Sequence, residues 1–314
     1  MTRHAAPAGI GILLTALLAA VAPDVRAQEA TPLDARQTVA RQITRHESHR
    51  YRLTLAAGEF VSVIVEQQGI DVSVEARDPS DAVIAVFQQE IRSRGEEPVE
   101  VVADSSGSYS LVVTARPGVA AGAYTVRLAD RHAARDVDRT MQEARRQGTA
   151  GLALESAAKF AEARTAYERA LALSEAARGP DDIFSGLMAL QLAGNALETR
   201  DDARSTTLYL RAVAMLDKAW GSEHPYPAIA RSRLALLLQQ AGQGPSAEAM
   251  LRPAMETIER TLGAEHPWFA LCLITQANLR DQAGDLDQAE SIGRRAMAIF
   301  EAIDDVENNH YAAL

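Results

Sequence analysis

Gly221-Ser222-Glu223-His224-Pro225 and Gly263-Ala264-Glu265-His266-Pro267 are one loop written twice, 42 residues apart. Gly179-Pro180-Asp181-Asp182-Ile183 is the same loop with changes, another 42 residues upstream. Glycine in such a loop supplies the left-handed residue that closes one helix, and proline suits the first turn of the next. Working outward from the loops, Ala170, Ala212, Ala254 and Ala296 keep the same spacing, as do Ala163, Ser205, Ala247 and Ala289 seven residues earlier. Seven residues are about two helical turns, so both sets lie on one face. Small side chains there let neighbouring helices approach closely. A period of this length means stacked helical hairpins, an architecture that binds partners far more often than it catalyses.

The unit can be laid out in full. Helix A carries a small residue at Gly151, Ala193, Ala235 and Ala277, and the turn into helix B falls at Ala158, Arg200, Gly242 and Gly284. Tyr167 and Leu171, Tyr209 and Val213, and Leu251 and Met255 fill the rest of the inner face of helix B. Four helix pairs are predicted over residues 135–314. His310-Tyr311-Ala312-Ala313-Leu314 reads as the opening of a fifth helix A, which leaves the last repeat without a cap.

Upstream the period changes to two. Tyr51, Leu53 and Leu55 alternate with Arg50, Arg52 and Thr54, and Val61, Val63 and Val65 continue the pattern. Ile70, Val72 and Val74, then Val83 to Phe87, Val99 and Val101, and two further runs around Tyr109 and Tyr124 follow. Turn residues separate them at Asp78-Pro79, Ser105-Ser106-Gly107, Pro117-Gly118 and Ala121-Gly122. Seven or eight strands of this kind predict an antiparallel, jelly-roll-like β-sandwich over 49–131. Residues 28–48 are polar and read as a linker. Residues 1–27 read as a cleaved signal peptide: Arg3 and His4, an apolar run from Ala8 to Ala22, and Val25-Arg26-Ala27 before the cut. The chain is therefore expected in the periplasm or outside the cell, with no stable membrane insertion after cleavage.

Composition narrows the function. The 314 residues give room for two domains, and a net charge of −10 argues against a nucleic-acid partner. Aromatic residues at 5% argue against a platform for stacking bases or sugars. Cys272, the only cysteine, sits in Ala270-Leu271-Cys272-Leu273-Ile274 and reads as a buried hydrophobe. Asp71, Asp78, Asp81 and Asp104 fall in different loops without calcium-loop spacing, and His224 and His266 recur because their loop recurs. No motif for a nucleophile, zinc hydrolase, phosphate loop or dinucleotide is present, so no cofactor, metal or catalytic residue is expected.

Three resemblances follow from these motifs. The Gly-x-Tyr-x-apolar strands at Gly107-Ser108-Tyr109-Ser110-Leu111 and Gly122-Ala123-Tyr124-Thr125-Val126, with Asp78-Pro79 before them, resemble pre-peptidase C-terminal domains, non-catalytic sandwiches of secreted bacterial enzymes. The 42-residue unit with Gly-x-x-His-Pro between repeats resembles the tetratricopeptide repeats of kinesin light chains. That likeness implies a groove on the A helices for a peptide or protein. Kinesin-type repeats commonly carry an Asn-Asn pair there, but this chain has Leu190-Gln191, Ser232-Arg233 and Ile274-Thr275. Gln191, Arg233 and Thr275 become the candidate groove residues, together with Asn195 and Asn278. The order of signal peptide, sandwich and repeats resembles the front of secreted proteins ending in a CHAT module, a caspase-like cysteine peptidase. The leading expectation is an exported, non-catalytic interaction scaffold. The alternatives are the recognition part of such a peptidase, its catalytic module missing or separate, and self-association through the uncapped last repeat.

Overall fold

The structure, a computed structural model, describes residues 30–34, 37–45, 47–116 and 121–312, with side chains described as far as residue 302. The signal-peptide reading and the Pro117-Gly118 turn lie outside the described residues. Among the described residues nine strands form two sheets: β1 (Thr31–Pro32), β2 (Thr38–Thr44), β3 (Ser48–Leu55), β4 (Glu59–Gln68), β5 (Val72–Arg77), β6 (Val83–Phe87), β7 (Arg94–Val102), β8 (Gly107–Ala115) and β9 (Ala121–Ala133). One sheet has the order β1-β3-β8-β5-β6 and the other β2-β9-β4-β7. Apart from the short β1–β3 pair, all pairings are antiparallel.

Alternation decides what each strand buries. Along β3, His49, Tyr51, Leu53 and Leu55 face the core while Arg50, Arg52 and Thr54 do not. Val61, Val63 and Val65 of β4 and Tyr124 and Val126 of β9 meet them from the second sheet. Tyr51 and Tyr124 bring hydroxyls into this core and satisfy them on each other at 2.7 Å, with His49 Nδ1 also 2.6 Å from Tyr124 Oη. Buried polar groups need such partners.

The lead-in is not a linker. β2 runs antiparallel to the start of β9, from Thr38 opposite Arg127 to Thr44 opposite Ala121. It is an edge strand held by backbone hydrogen bonds, with Ile43 alone among its side chains fully buried. That is why its polar sequence hid it.

Eight helices follow among the described residues: α1 (Asp136–Ser156), α2 (Phe160–Arg178), α3 (Ile183–Glu198), α4 (Asp202–Trp220), α5 (Pro225–Gln240), α6 (Gly244–Leu262), α7 (Pro267–Gln282) and α8 (Leu286–Ala312). They pack as successive hairpins, α1 on α2 through α7 on α8. Ala170, Ala212, Ala254 and Ala296 are all buried at the contacts. The loop chemistry is as the repeat requires. Gly179, Gly221 and Gly263 have positive φ at the ends of α2, α4 and α6. Asp182, His224 and His266 cap the next helix: Asp182 accepts from the Phe184 amide, and His224 and His266 each accept at Nδ1, from Tyr226 N–H at 3.3 Å and Trp268 N–H at 3.2 Å. An Nδ1 that accepts carries no proton of its own. Burial, with Arg116 nearby, pushes the His266 pKa down to about 4.

At the chain end α8 continues unbroken to Ala312, so His310-Tyr311-Ala312 is its last turn rather than a fifth helix. The loop register explains this. Forty-two residues beyond Gly263 and Pro267 stand Asp305 and Asn309, so neither the left-handed stop nor the proline restart is written there.

The four hairpin turns are all left-handed, at φ 56° for Ala158, 62° for Arg200, 74° for Gly242 and 82° for Gly284. Only two of them use glycine. A side chain in this region costs about 1–2 kcal/mol. Arg200→Gly is expected to raise the free energy of unfolding by about 0.5–1 kcal/mol, since glycine also gains freedom in the unfolded chain. Urea denaturation measures this, and an unchanged or lower midpoint would mean the turn is not strained.

Candidate functional site at the junction of sandwich and repeats

One face of α1 joins the two domains. Gln142, Arg145 and Thr149 recur at three and four residues, which aligns them on one side of the helix. β6 and β7 are edge strands of the two different sheets, and α1 lies across both. The Gln142 side chain accepts from Val102 N–H at 2.6 Å and donates to Val102 C=O at 2.8 Å, as a neighbouring strand would. Thr149 Oγ1 accepts from Val86 N–H at 3.1 Å. Between them, Arg145 donates to Glu100 of β7 at 2.5 Å, and Arg178 from the end of α2 reaches the same carboxylate oxygen at 2.7 Å. Burial raises the Glu100 pKa, but the two guanidiniums outweigh it and hold the group below its ordinary range. Farther along, Tyr226 of α5 donates its hydroxyl to Gln88 C=O at 3.3 Å, and Ile91 enters the helical core.

The segment between β6 and β7 is held by buried acids. Glu97 is 0% exposed and accepts from the Glu90 amide at 2.7 Å. Burial pushes its pKa up to about 8. Asp71 lies 3.3 Å from Arg116, yet burial outweighs that partner and pushes its pKa up to about 7. Glu90 is different. Burial would raise its pKa, but hydrogen bonds from the Arg92 side chain and amide, with His224 Nε2 3.8 Å away, hold it at about 2.

Between the domains lies a cavity of about 360 Å³. Its wall takes Gln88, Gln89 and Arg116 from the sandwich and side chains from α1, α3, α5 and α7. Phe184, Tyr226 and Trp268 all line it, each two residues past the helix-capping position and 42 residues from the next. Arg233 lies over the Trp268 ring with its guanidinium carbon 5.0 Å from the centroid. Arg145 is flanked by Phe87 at 5.5 Å and Phe184 at 6.0 Å.

The structure divides the candidate groove residues. Gln191 and Arg233 line the cavity, and Thr149 of α1 joins them at the same repeat register. Thr275, the fourth residue of that register, is 3% exposed and donates to Leu271 C=O at 3.3 Å within its own helix. Asn195 is 1% exposed, and its side-chain amide donates to Phe160 C=O at 3.0 Å, tying α3 to α2. Both side chains are buried, Asn195 against the preceding helix and Thr275 against its own backbone. Asn278 is exposed and outside the cavity wall. The aromatic column was open to the same 42-residue comparison that exposed the loops. Arg116, Gln88 and Gln89 carry no repeat signal, because they reach the site only through domain packing.

Cys272 is buried, which pushes its thiol up to about 11. The four aspartates are scattered: Asp78 caps its own turn at Ser80 and Ala82, Asp81 pairs with Arg50, Asp104 with Arg146 and Asp71 with Arg116. Among the described residues no group of three or more His, Cys, Asp or Glu is arranged to hold a metal, and no helix is long and apolar enough to cross a membrane.

Residues 144–183 and 226–302 match tetratricopeptide-repeat families, and the helical part is a solenoid of such repeats. Among solved structures the chain is similar to BtubC (BKLC) from P. vanneervenii, at 19% identity over 55% of this chain and 67% of that one, with a TM-score of 0.46. It is also similar to a Podosopora anserina putative kinesin light chain with nearly identical TPR-like repeats, at 20% identity over 52% and 77%, TM-score 0.41. A third similarity, at 18% identity and TM-score 0.29, spans 33% of this chain and 98% of the pre-peptidase C-terminal domain of collagenase from Bacillus anthracis. No curated protein matches the chain. Repeats of this kind are interaction scaffolds, and nothing in the fold or the comparisons indicates an enzyme activity.

Two measurements check the junction. Gln142→Ala orphans a buried N–H and C=O, and is expected to cost about 1–3 kcal/mol for each group in urea denaturation. A change below 0.5 kcal/mol, about the level of an ordinary surface substitution, would mean the amide is not bridging. Glu97 binds its proton in the fold up to about pH 8 but in the unfolded chain only up to about 4.5. The folded state then holds the extra proton, so this contribution is full below about pH 4.5 and is lost as pH rises to about 8. The stability of Glu97→Gln relative to the native chain is expected to rise across that window and level off above it. A flat difference from pH 5 to 8 would refute a protonated Glu97.

Proposed function

We propose that the chain is an exported, non-catalytic scaffold whose A-helix groove binds a peptide or protein partner. The observation that carries this reading is the convergence of one repeat register on a lined opening. Thr149, Gln191 and Arg233 stand in sequence on α1, α3 and α5, with the ring of Trp268 beside Arg233. Polar side chains in a row above an aromatic wall suit an extended segment that offers both backbone and side chains. Gln191 supplies a donor and an acceptor, and Arg233 a fixed fork of donors. Export rests on the basic start, apolar run and small-residue cut in residues 1–27. The order of domains fits a recognition part working beside a CHAT-type peptidase module, and an adjoining reading frame with a His–Cys dyad would support that assignment.

A second reading, self-association, is favoured by Leu286 and Met297, 63% and 62% exposed on α8. Light scattering decides it, since a clean monomer at high concentration excludes a stable assembly.

The scaffold reading is tested by crosslinked recovery of partners from envelope extract with the chain from Gln28 onward. Gln191→Ala and Arg233→Ala are each expected to lower recovery of the bound partner by about tenfold, equivalent to ~1.4 kcal/mol of binding. Equal recovery with both variants would remove these residues from the binding face.

A further inference from the structure

The cavity between sandwich and repeats has a charge pattern that partner binding along the groove does not account for. Three arginines reach its wall from three separate elements: Arg116 after β8, Arg145 on α1 and Arg233 on α5. Arg145 is 5% exposed, and its Nε has no hydrogen-bond partner. It also shares its carboxylate: Glu100 answers both Arg145 and the partly exposed Arg178, which has Asp182 as a second partner 3.9 Å away. Arg233 makes no ion pair among the described residues; its guanidinium faces the Trp268 ring. Arg116 is paired with Asp71, whose burial favours the protonated form.

The acids at the cavity do not cancel this. Glu155 is pushed toward its neutral form by burial, and its carboxylate accepts from Tyr167 Oη at 2.7 Å. Glu198 is exposed. Gln88, Gln89, Thr149 and Gln191 add neutral polar groups to the wall, and Phe184, Leu187, Tyr226, Ile229 and Trp268 supply apolar and aromatic surface. A volume of about 360 Å³ is that of a small-molecule site, and such sites favour domain junctions with a mostly apolar lining and a few convergent polar groups.

We propose that this cavity binds a small organic anion, a monocarboxylate on a flat or branched apolar body. A guanidinium fork matches a carboxylate with two parallel hydrogen bonds. The aromatic column takes the body of the ligand, and ring faces prefer offset or edge contacts with a flat group. The proposal goes beyond the scaffold reading and does not depend on it. Because the wall is divided between the domains, a bound anion ties sandwich and repeats together and raises the melting temperature of the whole chain.

Calorimetry and thermal shift on the chain from Gln28 onward test this with benzoate, 3-phenylpropionate and indole-3-propionate. 3-Phenylpropanamide has the shape without the charge, and acetate has the charge without the body. At least one aromatic carboxylate is expected to bind saturably and raise the melting temperature, with the amide and acetate weaker by about tenfold or more. Gly194→Leu fills the cavity while keeping every charged group. A Cβ at Gly194 meets only Tyr209 Oη, at 3.8 Å, so the helix tolerates the change. It is expected to abolish binding, and Arg233→Gln to weaken it about tenfold or more. Arg233→Gln alone carries the test if Gly194→Leu unfolds the chain by circular dichroism. The proposal is overturned if no carboxylate binds, if the amide binds as tightly, or if the variants leave affinity unchanged. It is also overturned if N-acetyl-Gly-Gly-Phe binds while no free acid does, since the anion would then be a peptide terminus and the scaffold reading would gain instead.

Discussion

The open edges of the two sheets constrain everything else in this molecule. A sandwich of nine strands has β6 and β7 at its margin with backbone groups pointing outward, and unpaired edges of this kind recruit other chains. Here α1 closes them. Gln142 and Thr149 meet the backbone of Val102 and Val86, and Arg145 fixes the spacing through Glu100. The position of α1 sets that of α3, α5 and α7, because small residues at the helix contacts leave the stack little freedom. The cavity follows from this geometry: it is what remains between a sheet edge and the inner wall of a solenoid that must start beside it.

How much of this could be read from the sequence differs sharply between the two halves. The solenoid was legible because its physics repeats. The same glycine, cap and alanine recur at one spacing, and even the left-handed turns fall at the four expected positions. The strand domain was legible where a strand buries one face. β2 escaped because an edge strand can be held by its backbone while its side chains stay wet. The end of α8 was misjudged for a related reason: an apparent restart at His310 outweighed the loss of the glycine and proline that would have stopped the helix.

The candidate site was half legible. Gln191 and Arg233, which register picks out as groove candidates, line the cavity, while Thr275 at the same register is buried because the environment of a repeat position changes along the stack. Near the sandwich that position borders an opening, whereas three repeats on it is enclosed. A buried asparagine that satisfies a carbonyl of the preceding helix, as Asn195 does, looks in one sequence like one that waits for a ligand. Arg116 and Arg145 owe their place to tertiary contact, and their significance lies in a balance of charges that no local pattern expresses.

The covering of β6 and β7 by α1 also bears on how such a chain can change over generations. Sandwich and repeats look like separable parts, and the linker between β9 and α1 is only Ala134 and Arg135. Yet a sandwich cut free would present two bare margins at once, and a solenoid cut free would lose the partner of its first helix. Recombination that exchanged either part would have to carry α1 along with the strands it closes. Because Tyr226 of α5 also bonds Gln88 and Ile91 enters the helical core, the first three hairpins share that constraint.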